Sequence, residues 1–256
     1  MPDDDLRVQE RPRGRLGVRI VAALAAFFWG FVFFGVIDLL SFALGEEFHA
    51  TLVLGTGWGL VFLFLVAVPL GAVAGWRREM APAARAQVAL VAVAVVAGAA
   101  LSASARHLLV AGALGVTAAV LLALDRGSAT GVLQTWRWSR VPGALVVVAV
   151  GPACAYAWTA ARSTGSGGIT DDTWWLDHWP IQATLPVALL AIAALASGHP
   201  RGWRLPAWCV ATAAGWFAVV CWLEPDLVGS VGRPWSTALF VWALAFIAAT
   251  FRTASR

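Results

Sequence analysis

Carboxylates and imidazoles fall at only a few places in this chain, and each place suggests a chemistry. Asp38 lies in an otherwise apolar run, Phe33-Phe-Gly-Val-Ile-Asp-Leu-Leu40, where an ionised carboxylate is costly unless it is paired, hydrated or protonated. A proton or cation relay would use such a group, as would a site for a cationic substrate. A pair with Arg106 or Arg233, or a side chain reaching for the interface, would hold it equally well. Glu46 and His49 are three residues apart, so one helical turn points both the same way. Di-metal carboxylate bundles use Glu-x-x-His, but they need two copies and further glutamates. Asp177 and His178 are adjacent and would diverge on a helix, whereas an extended segment lets both line one pocket. Asp38, Glu46, Asp177 and Glu224 are therefore candidate binding residues for a proton or a small cationic substrate. His49, His107 and His178 are candidate ligands for zinc, copper or iron, or for haem through two axial imidazoles. They would otherwise serve as acid/base groups of a membrane-embedded enzyme. A protein without a cofactor is the plainer expectation.

The elements that must position these groups are long apolar stretches. Of the 256 residues, 60% are hydrophobic and 12% charged, half the charge of an ordinary soluble domain. Eight stretches are long enough to read as membrane helices: 20–44, 52–74, 88–105, 108–124, 142–161, 180–196, 206–223 and 235–251. The third is short and rich in alanine, and its link to the fourth at Arg106 and His107 is tight. Residues 1–19 read as a basic, disordered cytoplasmic tail rather than a cleaved signal, 20–251 as one domain, and 252–256 as a short cytoplasmic C-terminus.

Arginine fixes the expected orientation. All 18 basic residues are Arg, and 15 of them fall in the tail, every second loop and the C-terminus. The alternate loops hold only Arg106, Arg162 and Arg233, together with eight of the 14 acids. Short arginine-rich loops stay cytoplasmic, so the fold class expected is an all-α bundle of about eight helices in the bacterial plasma membrane, both termini inside. Its outer mouth would then be acidic and attract cations. Tryptophans gather at the expected span ends, as interfacial belts do. Trp58, Trp158, Trp174, Trp175, Trp179, Trp222 and Trp235 would mark the outer side, with Trp29, Trp216 and Trp242 deeper as packing elements.

Several classes drop out. With no Lys there is no Schiff base and no Gly-x-x-x-x-Gly-Lys phosphate loop. The basic residues form no motif or face for nucleic acid. Cys154, Cys209 and Cys221 read as small apolar residues, with a Cys154–Cys221 disulfide as the alternative. Pro69, Pro152 and Pro186 inside expected helices mark sites for kinks. His199, beside Pro200 and Arg201, reads as a solvated loop residue.

The strings Phe33-Phe-Gly-Val-Ile-Asp-Leu, Gly45-Glu-Glu-Phe-His49, Leu176-Asp-His-Trp-Pro180 and Leu205-Pro-Ala-Trp-Cys209 resemble eight-span actinobacterial membrane proteins with no assigned activity. The resemblance covers nearly the whole chain and carries over no functional residue. The late His-x-x-x-His of ceramidase-type and adiponectin-receptor-type hydrolases is absent. The single Asp171–Asp177 cluster does not match the paired Asp-rich inner loops of membrane prenyltransferases. The functional expectation is a small permease or a membrane protein that binds a cationic substrate. A membrane-embedded enzyme or metalloprotein, and an accessory subunit acting with a protein partner or as a homo-oligomer, are the alternatives.

Overall fold

A computed structural model describes residues 12–40, 46–76, 79–124, 136–165 and 172–254. Among these residues seven helices are long and apolar enough to cross a membrane, and an eighth apolar helix, Leu16–Val32, is shorter. In chain order, α1 is Pro12–Phe27 and α2 is Gly35–Leu39. The long His49–Gly75 helix contains α3 (Leu52–Gly59) and α4 (Val68–Gly71), with wider π turns at Leu60–Ala67 and Ala72–Trp76. There follow α5 (Ala81–Leu101), α6 (Ala105–Leu124), α7 (Arg140–Ser163), α8 (Trp179–Ser197), α9 (Arg204–Leu223) and α10 (Gly232–Ala254). Between α7 and α8 sits a small antiparallel hairpin, β1 (Asp172–Thr173) with β2 (Leu176–Asp177), pairing Thr173 with Leu176.

Burial sorts these helices into layers. The His49–Gly75 helix and α8 are the most enclosed, each with 78% of its apolar window buried. Next come α5 and α9 at 56%, while α6 falls to 33% and α7 and α10 to 22%. The first two therefore form the axis of the bundle, and the last three turn most of their valine, leucine and phenylalanine outward, as helices facing lipid do.

Side-chain contacts define two ends. At the tail end, the Arg19 guanidinium donates to the carbonyls of Ala74 and Gly75, satisfying the C-terminus of the second long helix. The same end holds His199, whose Nε2 lies 2.9 Å from the Thr250 carbonyl and Nδ1 3.3 Å from Ser139 Oγ. His199 is thus a tie between the start of α7, the end of α8 and α10, not the solvated loop residue expected. At the hairpin end, Arg106 Nη1 donates to the Trp175 carbonyl and Tyr156 to the Gly229 carbonyl.

Three boundaries differ from expectation. The helix starts at Pro12, so part of the stretch read as a disordered tail is helical. The third span begins at Ala81 and runs 21 residues, about 30 Å. It takes in Arg85, which is buried and donates through Nε to the Ala81 carbonyl. The expected first span, 20–44, does not run through. A π turn at Phe28–Val32 leads into Phe34, which holds a left-handed backbone with φ of 65°. The chain then restarts as α2, and 41–45 lie outside the described residues.

Close backbone contact explains the break. A Cβ built on Gly59 would lie 2.6 Å from the Leu39 nitrogen and 2.8 Å from the Gly35 carbonyl oxygen. Only a glycine there lets α2 lie directly on α3, and that seat places Asp38. Gly59→Ala should therefore lower stability by about 1–3 kcal/mol, read as thermal unfolding in detergent. Gly71→Ala, where a Cβ meets nothing within 4 Å, should leave the midpoint unchanged.

Candidate functional site

The helix break leaves backbone carbonyls without helical partners, one buried at Phe33 and one on the exposed surface at Val32. Trp58 Nε1, from α3, donates to the Phe33 carbonyl at 2.9 Å. Trp174 Nε1, from the hairpin turn, donates to the Val32 carbonyl at 3.2 Å. Two indoles from distant segments thus cap the broken helix. Trp58 is fully buried, so it is not the belt residue expected. Its ring stacks on Phe33 at 5.1 Å and on His178 at 4.5 Å, joining α3 to the start of α8.

Asp38 projects from α2 into this corner. The Thr173 hydroxyl donates to Asp38 Oδ2 at 3.3 Å, and Thr173 Oγ1 lies 2.8 Å from His178 Nε2. His178 Nε2 is itself 3.9 Å from Asp38 Oδ2, with the imidazole wholly enclosed and the carboxylate 14% exposed. The proton order follows from the inventory of donors. With Asp38 ionised, its carboxylate only accepts, so the single Thr173 proton points at Asp38 and His178 donates through Nε2. The result is a chain, imidazole N–H to hydroxyl to carboxylate, running from the bundle axis to its rim. Thr173 is not arranged as a nucleophile, because its hydroxyl accepts from the imidazole that would have to take its proton.

A second buried polar group lies one turn further along α8. Gln182 is fully enclosed, and its Nε2 donates at 2.5 Å to the Tyr156 hydroxyl, which donates at 2.6 Å to the Gly229 carbonyl. Gln182 Oε1 has no hydrogen-bond partner among the described residues. It fits only because residue 57 is glycine, since a Cβ there would overlap it. Successive residues Gly57 and Trp58 of α3 thus face Gln182 and His178 of α8, at spacing i and i+4 on one face.

The sequence-derived candidates separate into distinct surroundings. Asp38 and His178 come together, although neither Arg106 nor Arg233 is the partner seen for Asp38. Arg106 bonds the Trp175 carbonyl, and Arg233 stands 5.8 Å from the Trp222 ring. Glu224 meets His49 at 3.6 Å in a half-exposed pair. Asp177 Oδ1 accepts from the Trp179 backbone N–H at 2.9 Å, satisfying the first turn of α8. His107 is buried with Nδ1 2.7 Å from Ser104 Oγ, closing the α5–α6 turn. Glu46 begins a 3-10 turn, Glu46–Thr51, and its side chain lies outside the described residues. Among the described residues no three of His, Cys, Asp and Glu are grouped to hold a metal ion. The three cysteines are free thiols, so Cys154 and Cys221 form no disulfide.

Thr173, Trp58, Gln182 and Tyr156 are the site residues that sequence reasoning passed over. Thr173 did lie inside the unusual string Asp171-Asp-Thr-Trp-Trp-Leu-Asp-His, and Gln182 stands one helical turn after His178. No family model matches the chain, and neither a curated protein nor a solved structure does.

Thr173→Val should cost about 1–3 kcal/mol by stranding the buried imidazole and the partly buried carboxylate that share the hydroxyl. His178→Phe keeps a ring against Trp58 and removes the N–H. Thermal unfolding of both single variants and the double should give a coupling of about 0.5–3 kcal/mol. Additive effects would mean that the hydroxyl and the imidazole act separately.

Proposed function

We propose that this chain is an eight-span protein of the bacterial plasma membrane, both termini cytoplasmic, working as a small permease for protons or a small cationic substrate. The orientation rests on the arginines, which are concentrated at the tail end and nearly absent from the hairpin end. The transport reading rests on one observation: a broken helix presents a carboxylate, at the rim of the bundle, to a hydroxyl and an imidazole from the hairpin and the turn that follows it. Interrupted membrane helices with unwound backbone are where coupling ions and substrates bind in many transporters.

The chain of groups suits reversible protonation. A proton taken up at the rim by Asp38 neutralises the carboxylate while His178 and Thr173 keep theirs, so no charge is stranded in the interior. In the ionised state Asp38 holds the hairpin by a charge-assisted hydrogen bond, and in the neutral state that hold weakens. Proton occupancy and hairpin docking are thereby linked. Glu224, Asp177 and Glu46 at the same end would raise the local concentration of cations.

The orientation is tested with single cysteines in a background lacking the native three. A cysteine at Arg233 should react with an impermeant maleimide on intact cells, and one at Arg201 only after permeabilisation; the reverse pattern overturns it. Transport is tested in proteoliposomes carrying an internal pH dye, under an imposed membrane potential or a methylammonium gradient. Wild-type vesicles should acidify or accumulate methylammonium, Asp38→Asn should abolish this at unchanged folding, and Asp38→Glu should keep part of it. Wild-type vesicles as tight as empty ones, or full flux through Asp38→Asn, would sink the reading.

A further inference from the structure

The hairpin end carries an open groove of about 610 Å³, bounded by Arg106, Leu109 and Val110 of α6 and by Trp174, Trp175 and Leu176 of the hairpin. Its walls are aliphatic and indole, and among the described residues that line it Arg106 is the charged one. We infer that this groove seats an anionic phospholipid, the acyl chain along Leu109 and Val110 and the headgroup phosphate on the Arg106 guanidinium.

Three observations choose this occupant. The first is charge complementarity. Arg106 spends Nη1 on the Trp175 carbonyl at 3.1 Å, and no carboxylate among the described residues lies in ion-pair range. Its Nε and Nη2 edge is left to bind a phosphate by two parallel hydrogen bonds. The second is the direction of the apolar wall. Leu109 is 76% exposed on α6, a helix that turns most of its apolar window outward, so the groove runs onto a lipid-facing surface. A soluble anion would gain nothing from that wall, whereas an acyl chain covers it.

The third is the built shape of the rim. Trp174 and Trp175 both hold left-handed backbones, with φ of 57° and 58°, at the two central positions of the hairpin turn. That turn ordinarily takes Asn-Gly, because bulky residues resist positive φ. Here it splits the two rings between tasks. Trp174 bonds the Val32 carbonyl and packs edge-on against Phe34, while Trp175 stands 80% exposed beside the groove. An exposed indole next to an arginine is the chemistry of a headgroup contact.

Full-length protein in detergent is titrated with phosphatidylglycerol or with phosphatidylcholine of the same chains, and bound lipid is counted by native mass spectrometry. Phosphatidylglycerol should bind about tenfold more tightly, and Arg106→Gln should remove that preference, a charge-assisted contact being of that size. Leu109→Trp, which fills the groove at an exposed position and leaves the Arg106 charge in place, should weaken binding of the anionic lipid as well. Soluble glycerol phosphate should not displace the lipid at equal concentration. Equal binding of the two lipids would reduce the groove to ordinary annular contact and overturn the proposal. Displacement by glycerol phosphate would also overturn it, by making the site one for a free anion. The readout is independent of transport, so it stands or falls apart from the role of Asp38.

Discussion

Everything at the hairpin end depends on two backbone carbonyls. Where the first helix breaks, Val32 and Phe33 lose their places in the helical ladder, and hydrocarbon offers no water to replace the missing donors. Left unmet, the buried Phe33 carbonyl would cost a few kcal/mol. The indoles of Trp174 and Trp58 supply the missing N–H groups, and in doing so they tie the hairpin and α3 to the broken helix. Because Trp58 also stacks on Phe33 and His178, one side chain closes the gap between the break and the start of α8. The carboxylate of Asp38 is tolerated in this corner because the same tie delivers Thr173 and His178 to it.

The polar groups lie where the bundle is most enclosed. His178 and Gln182 share a face of α8, and Trp58 and Gly57 of α3 meet them in turn. The two axial helices, rich in apolar residues elsewhere, therefore carry a short polar seam between them. The outer helices α6, α7 and α10 carry little of it and mainly shield it from lipid. Such an arrangement isolates a small number of exchangeable protons from bulk solvent while leaving the carboxylate that accepts at the end of the chain, Asp38, at the rim.

Much of the architecture was legible because hydropathy is a sum over many residues. Six apolar stretches correspond to helices within a few residues of their expected limits; the third starts seven residues before its expected limit, because Arg85 looked like a loop residue, and ends four before it. The break in the first stretch was not legible. Phe33-Phe34 contains no glycine or proline, and nothing local predicts a left-handed phenylalanine. The hairpin was hidden for a similar reason, since Trp-Trp is the wrong turn chemistry for a two-residue connection. Asp38 and His178 were each picked out as chemical groups, but their meeting was not, because a contact across that separation leaves no trace in one sequence. Trp58 was misread because belt and core tryptophans share the same position along a helix. The histidines read as a ligand set lie apart, His49 beside Glu224, His107 beside Ser104 and His178 beside Thr173.

The contact that completes the site joins residues 135 apart in the chain. At a translation rate of about 5–20 residues per second, roughly 7–30 s separate synthesis of Asp38 from synthesis of Thr173. Through that interval the first helix enters the membrane with its break unfinished, its carboxylate unescorted and both indole donors still unmade or unplaced. The nascent chain must therefore wait in a sheltered state, either within the insertion machinery or with Asp38 held at the lipid surface. Closure of the hairpin is then a late event of biogenesis, and a chain arrested before α8 would be left with an open polar edge that quality-control proteases can recognise.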